Sequence, residues 1–370
     1  MSKWLKILSA GLMQIVLVTG WLSCSDDTNS GPEFDRSAML QNMADNIIIP
    51  AYAELSTKTA SLQSAATQFT QSPTLTSLAA VQQAWEETYL AWQYANAFNF
   101  GPGGEEGLRK GLIEEIGTFP VNESKIENAI STAVYNLNDF NRDARGFLAI
   151  DYLLFSLTDN QQAVVNLYSS ANRKKYLNDA VANIKIRVDA ALAEWNGTFK
   201  ASFVSNNGTD VGSSTSQVYN EFVRSYESIK NFKVELPLGK RPGQTQTEPD
   251  LVEAYYSGKS VTMFKAHLLA IENIWYGRKK DGTDGAGFEE YLASVTGGND
   301  LITLSKAQLQ LVKTAMATIP EAPRFSTQIQ NTPTPIDNFR IELQKQTRFF
   351  KSDMSSLLGI AITFSSGDGD

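Results

Sequence analysis

The chain has 370 residues and a formal charge of −8; 42% of it is hydrophobic and 19% charged. That length suits two hydrophobic cores better than one, and the composition excludes wholesale disorder. The acidic balance repels phosphate backbones, so no nucleic-acid partner is expected and a solvated acidic surface is its ordinary meaning.

The first elements concern location. Lys3 and Lys6 precede an apolar run from Ile7 to Leu22, the pattern of a secretory signal over residues 1–23 with no stop-transfer sequence after it. Losing that signal removes two lysines and brings the net charge to −10. No later stretch has ~18 consecutive apolar residues, so no membrane span is expected beyond the signal. Cys24 is the single cysteine, which rules out an internal disulfide and a thiolate metal cluster. Its place directly after the apolar run resembles a bacterial lipobox, although Trp21 stands where such signals usually carry Leu. A diacylated Cys24 would hold the protein to a membrane, since two acyl chains anchor stably where one does not. A plain cleaved signal is the alternative. Ser25-Asp26-Asp27 resemble the surface-export signal of Bacteroidetes lipoproteins and fit a solvated tether equally, and residues 24–33 are read as that tether.

After residue 34 the apolar residues step by three or four. Leu78, Val81, Trp85, Tyr89, Trp92 and Ala95 form one stripe, and Ile126, Ile130, Val134 and Leu137 a second. A third runs from Leu177 to Trp195 and a fourth from Phe264 to Trp275. Leu304, Leu311 and Ala315 predict a helix ending near Pro320 and Pro323, and Ile336 through Phe350 a last one. Pro50 is expected to break or kink the first long helix after Ile47-Ile48-Ile49. Strand alternation is absent apart from a brief "ITF" at 362–364. The class is therefore all-α, with two similar four-helix-bundle-like domains packed together. Their predicted bounds are 34–204 and 217–370, joined by the Gly/Ser/Asn linker 205–216. Loop 239–249 is longer than a minimal connection and is a candidate functional loop. Leu148-Ala149-Ile150-Asp151 also aligns with Leu269-Ala270-Ile271-Glu272, a hint of a duplicated helical unit.

Chemistry is sought where polarity and burial conflict. Asp151 sits in "RGFLAIDYLLF" (145–155), apolar on almost every side. A buried carboxylate needs a cation or several donors, and Arg142, Arg145 and Arg224 are candidates. A structural ion pair and a polar cleft residue both remain open for Asp151. Trp85, Tyr89 and Trp92 share a helical face that leads into "FNFGPGG", a helix-ending turn without the phosphate-loop pattern. His267 is the sole histidine and is read as a helix-surface or packed residue. Zinc-peptidase chemistry needs at least two such ligands, and no G-x-S-x-G elbow supports a serine triad. In "VEAYYSGKS" (252–260), Glu253, Tyr256, Ser257 and Ser260 surround a Gly258 break, with Ser260 a candidate cap or cleft residue. The terminal "SSGDGD" offers Asp368 and Asp370 as weak hard-cation ligands.

Four stretches carry a resemblance: "AWEETYLAWQYANAFNFGP" (84–102), "RGFLAIDYLLF" (145–155), "VEAYYSGKSVTMFKAHLLAIENIWYG" (252–277) and "LGIAITFSSGDGD" (358–370). In this order they resemble the imelysin family. The resemblance implies two similar four-helix bundles with a functional site between them. It also implies a G-x-H-x-x-E motif, which led to an early grouping as peptidases, and a link to bacterial iron uptake. Here Gly146 is kept, Leu148 stands at the His position and Asp151 at the Glu position. A leucine neither coordinates a metal nor shuttles a proton.

The expectation is a non-enzymatic binding component of the cell envelope, associated with iron or haem uptake. It would be an outer-membrane lipoprotein exposed at the cell surface, anchored at Cys24 and partnered by outer-membrane iron or haem uptake components. Its cleft would involve Trp92, Arg145, Gly146, Leu148, Asp151, Glu253, Tyr256, Ser257 and Ser260. The rival readings are a peptidase working without the motif histidine, and a surface lipoprotein binding glycans or peptides.

Overall fold

The structure, a computed structural model, describes residues 34–105, 110–155, 157 and 160–364. The signal, Cys24, the tether and the terminal "SSGDGD" lie outside the described residues. From Phe34 onward the chain forms one compact unit. Among the described residues there are helices and turns and no strand. The first half contains α1 (Arg36–Met43), α2 (Ile49–Gln71), α3 (Leu75–Ala95), α4 (Leu112–Ile116), α5 (Glu123–Thr132) and α6 (Gly146–Leu154). It continues through α7 (Gln161–Leu167), α8 (Ala171–Glu194) and α9 (Lys200–Ser205). The second half holds α10 (Ser214–Ser228), α11 (Leu236–Leu238), α12 (Ser260–Tyr276), α13 (Phe288–Ala293) and α14 (Gly298–Ala317). It ends with α15 (Phe325–Asn331), α16 (Pro333–Arg348) and α17 (Met354–Leu358).

Helix α2 packs against both α3 and α8, and α6 lies against α8 and α3. In the second half α14 packs on α16 and α10 on α12. Helices α3 and α12 touch along their length and join the two groups. The stripe on α3 buries Leu78, Val81, Trp85, Tyr89 and Trp92 together, so one face of this helix serves both core and seam. The 205–216 segment connects α9 to α10, with the Ser213 hydroxyl capping α10 by accepting from the Ser216 amide.

Among the described residues four π-helical segments interrupt the long helices, at Ala44–Ile48, Trp195–Phe199, Ile229–Glu235 and Phe349–Asp353. The first explains Pro50. The proline sits in the opening turn of α2, where its missing N–H costs little, and the register changes just before it.

Three sequence expectations need correction. Helix α5 stops at Thr132 because Ala133 adopts a left-handed conformation (φ 57°), so Val134 is exposed and Leu137 lies outside the helix. Helix α14 exists as predicted, but Leu304 and Leu311 point to solvent; Leu301, Ile302, Leu309 and Val312 are its buried hydrophobic residues. The "ITF" segment forms no strand and is pinned by Asn220. That side chain accepts from the Thr363 amide at 2.7 Å and donates to the Ala361 carbonyl at 3.0 Å.

Candidate functional site

A cavity of about 380 Å³ opens where α3, α4, α10, the Ile229–Glu235 segment and α12 meet. Trp92, Ile113, Phe119, Phe232 and Phe364 supply apolar walls, and Asn96, Ser225, Lys233, Glu253 and His267 are among its polar lining. The pinned tail is what brings Phe364 here.

The polar residues are connected. Glu253, 3% exposed, takes through Oε1 a bond from the Tyr89 hydroxyl at 2.6 Å and the Lys233 ammonium at 2.9 Å. Lys233 also donates to Gln93 Oε1 at 2.7 Å, which fixes the orientation of that amide and turns Gln93 Nε2 toward Glu253. Asn96 Nδ2 donates to the same Gln93 oxygen, leaving Asn96 Oδ1 to accept from the Ser225 hydroxyl. Ser225 Oγ also lies 2.7 Å from His267 Nε2, in a hydrogen bond whose direction follows the tautomer of the ring. Two buried atoms in this group have no hydrogen-bond partner, Glu253 Oε2 and His267 Nδ1. Burial lowers the basicity of Lys233, against the opposing pull of Glu253. Burial, aided by the nearby Lys233 charge, also pushes His267 well below the ordinary histidine range, so its ring is neutral. Tyr89 is raised well above the usual tyrosine range, first by burial and then by the Glu253 charge.

Lys233 lies in the Ile229–Glu235 π-helix. The wider turn shifts the register of the following residues, and such segments recur at functional sites. Lys230, Asn231, Lys233 and Glu235 are all buried here, although their spacing gives an ordinary helix no single polar face.

Asp151 occupies a second, smaller cavity of about 180 Å³, shared with Leu148, Glu123, Val252 and Tyr256. Its carboxylate is completely buried and accepts the backbone amides of Tyr256 at 3.1 Å and Ser257 at 3.0 Å. Burial pushes this carboxyl up to about 7, despite those donors and the charge of Arg324. None of the three arginines suggested from sequence reaches it. Arg142 and Arg145 bond to Glu115, and Arg224 pairs with Glu221. Asp151 is thus not half of an ion pair; it lines this cavity and ties α6 to the turn that precedes α12. Glu272, its partner in the suggested repeat, is instead bonded to Lys313 at 3.0 Å.

The imelysin family model matches residues 48–346. The chain belongs to the imelysin family. The iron-regulated protein A of Synechococcus elongatus is 22% identical over 263 residues, 68% of each chain. Two solved structures share the fold. An iron-regulated protein A precursor from Parabacteroides distasonis superposes with a TM-score of 0.72 at 16% identity, covering 90% of this chain and 97% of its own. An imelysin-like protein from Psychrobacter arcticum gives 0.70 at 19% identity, covering 89% and 97%.

In this imelysin chain the motif positions serve the smaller cavity. Gly146 has φ 79°, and a Cβ there would lie 2.4 Å from the Ile116 carbonyl oxygen, so only glycine fits where α6 starts. Arg145 is 1% exposed and bonded to Glu115 and to the Asp139 carbonyl, and it lines neither cavity. Ser257 contributes its amide to Asp151. Ser260 does not cap α12: Lys259 holds the cap position, and the Ser260 hydroxyl donates to the Glu253 carbonyl. That bond fixes the backbone that carries Glu253. Loop 239–249 folds back on itself through Glu248 N to Pro237 O, and of its residues none lines either cavity. Trp92 and Glu253 thus meet in the larger cavity, and Leu148, Asp151 and Tyr256 in the smaller. His267, Lys233, Gln93 and Ser225 were not singled out as site residues. Among the described residues no three His, Cys, Asp or Glu side chains gather as metal ligands, and no helix is long and apolar enough to cross a membrane.

Proposed function

We propose that this imelysin-family protein is a non-enzymatic binding component whose ligand seat is the larger cavity between α3, α10 and α12. The observation that carries this reading is the pair of unpartnered buried atoms, Glu253 Oε2 and His267 Nδ1, on residues that line a cavity of about 380 Å³. Buried polar atoms normally have partners, and a cavity of this size is of ligand scale. Leu148 at the motif histidine position points the same way.

The iron link rests on the relatives from Synechococcus and Parabacteroides, both described as iron-regulated protein A. Uptake of iron or haem at the cell envelope, with Cys24 as the lipid anchor, extends that link to this chain. Deleting the gene and measuring growth on limiting iron or haem tests it; a growth defect restored by the wild-type gene is expected, and undiminished growth and uptake would sink it. Incorporation of labelled fatty acid that disappears in Cys24→Ala tests the anchor. A peptidase reading predicts cleavage of unfolded polypeptides by the purified protein, and none is expected.

A further inference from the structure

The C-terminal tail supplies part of the larger cavity's wall, and its attachment is local. Helix α17 ends at Leu358, and Gly359 turns the chain off it in a left-handed conformation (φ 63°). Ile360 is the last firmly held residue: its side chain is 3% exposed and its amide donates to the Ser355 carbonyl at 3.0 Å. Beyond it, among the described residues, the hydrogen bonds of residues 361–364 both go to one side chain, that of Asn220 on α10. Asn220 takes the Thr363 amide at 2.7 Å and reaches the Ala361 carbonyl at 3.0 Å. It is itself buried and steadied, since its Nδ2 also donates to the Ser216 carbonyl at 2.9 Å. Ala361 and Thr363 are exposed, and Ile362 and Phe364 are only partly buried against the core. The Phe364 ring lines the cavity and lies 5.2 Å from the Lys351 ammonium, whose partner Glu227 lines it too. A segment with few buried contacts and exposed backbone opens at far lower cost than the core it rests on.

We propose that residues 361–364 are a detachable strap over the larger cavity. Attached, the strap completes the aromatic wall with Phe364. Released from Asn220, it swings out from Ile360, takes Phe364 with it and bares the lining on α10, with no helix disturbed. The Lys351 ammonium, paired with Glu227 and set against the Phe364 ring, gives the closed strap a second, weaker hold at its end. This step sets access to the cavity whatever the cavity holds. Where the cavity is the binding seat, the strap governs how fast a ligand enters and leaves.

Thiol labelling of the purified full chain tests this. Cys24→Ala removes the one native thiol, and Ser225→Cys then places a thiol on the buried cavity lining. Ser305→Cys, buried in α14 and off that lining, reports any loosening of the whole fold. The small neutral reagent 4,4′-dithiodipyridine is expected to react with Ser225→Cys at least about tenfold faster once Asn220→Ala or Phe364→Ala is added, with no change for Ser305→Cys. An unchanged rate at position 225, or an equal rise at position 305, would overturn the strap. Hydrogen exchange on the unsubstituted protein decides the matter even where a variant fails to fold. Relative to their intrinsic rates, the Thr363 amide is expected to exchange at least about a hundredfold faster than the Ile360 amide. Equal protection of the two would mean that the tail opens only together with α17, and the strap would fall. Neither measurement involves a ligand, so the outcome is separate from that of the binding reading.

Discussion

Two cavities of this protein each hold a buried acid, and the acids are treated in opposite ways. Asp151 spends both oxygens on backbone amides, so its donors belong to the fold and cannot leave. Glu253 spends one oxygen on side chains and keeps the other unpartnered. The first arrangement closes a junction between α6 and the turn before α12; the second leaves bonding capacity beside an apolar chamber. A buried acid is therefore a weak pointer to function until its partners are known, and the useful quantity is what it has left over.

The largest expected effect breaks the junction. Gly146→Ala forces a Cβ into the Ile116 carbonyl at a positive φ, and we expect a loss of about 3 kcal/mol or more in urea unfolding. Retained stability would mean that α6 can start elsewhere and that Asp151 is not held as described. Next comes Asp151→Asn, which turns an NH₂ toward one of the two backbone amides. A loss of about 1–3 kcal/mol at pH 7 is expected, because one buried amide loses its acceptor.

The pH response separates the two regions. The Asp151 carboxyl titrates near 7 in the fold and near 3.8 when exposed, so the unfolded chain gives up its proton first. Its contribution to stability therefore falls as pH rises from about 4 to 7, and the difference in melting temperature between wild type and Asp151→Asn should shrink across that window. The neutral His267 acts in the other direction. Below the ordinary histidine value of 6.5 the unfolded chain takes up a proton that the buried ring refuses, so stability falls as the pH drops. His267→Gln should remove that acid-side loss while changing stability at pH 8 by less than about 1 kcal/mol, the smallest of these effects. Unaltered acid sensitivity in His267→Gln would mean that the ring is not held neutral.

Periodicity made the helices legible, because α3, α8, α12 and α16 each bury a stripe whose spacing is visible in the sequence. It failed where the chain used a local exception. Ala133 ended α5 through a left-handed conformation that alanine seldom takes, and α14 offered two apolar stripes of which the unchosen one was buried. Of the site, Trp92 and Glu253 could be nominated from aromatic spacing and from an acid beside a glycine break. Lys233, Gln93, Ser225 and His267 could not, since the bonds that gather them join residues 42, 140 and 160 apart along the chain. A signal did exist in "SIKNFKVE", where polar residues at every helical angle predict that some must be buried. Proximity misled in the case of Asp151: Arg142 and Arg145 are near in sequence, but Glu115 claims both.

The seven-residue π-helix at Ile229–Glu235 gives the protein a mechanical property that its contacts alone do not reveal. A helix that carries surplus residues in its coil can be shortened without being severed. Removing Phe232 would let the segment relax toward ordinary α geometry with the helices on either side kept in register, and would turn the residues inside it about the axis. Lys233 would then face away from Glu253, with its charge left facing apolar packing. The segment works as an indexing gear whose setting, rather than whose teeth, decides whether the cavity has a cation at its back.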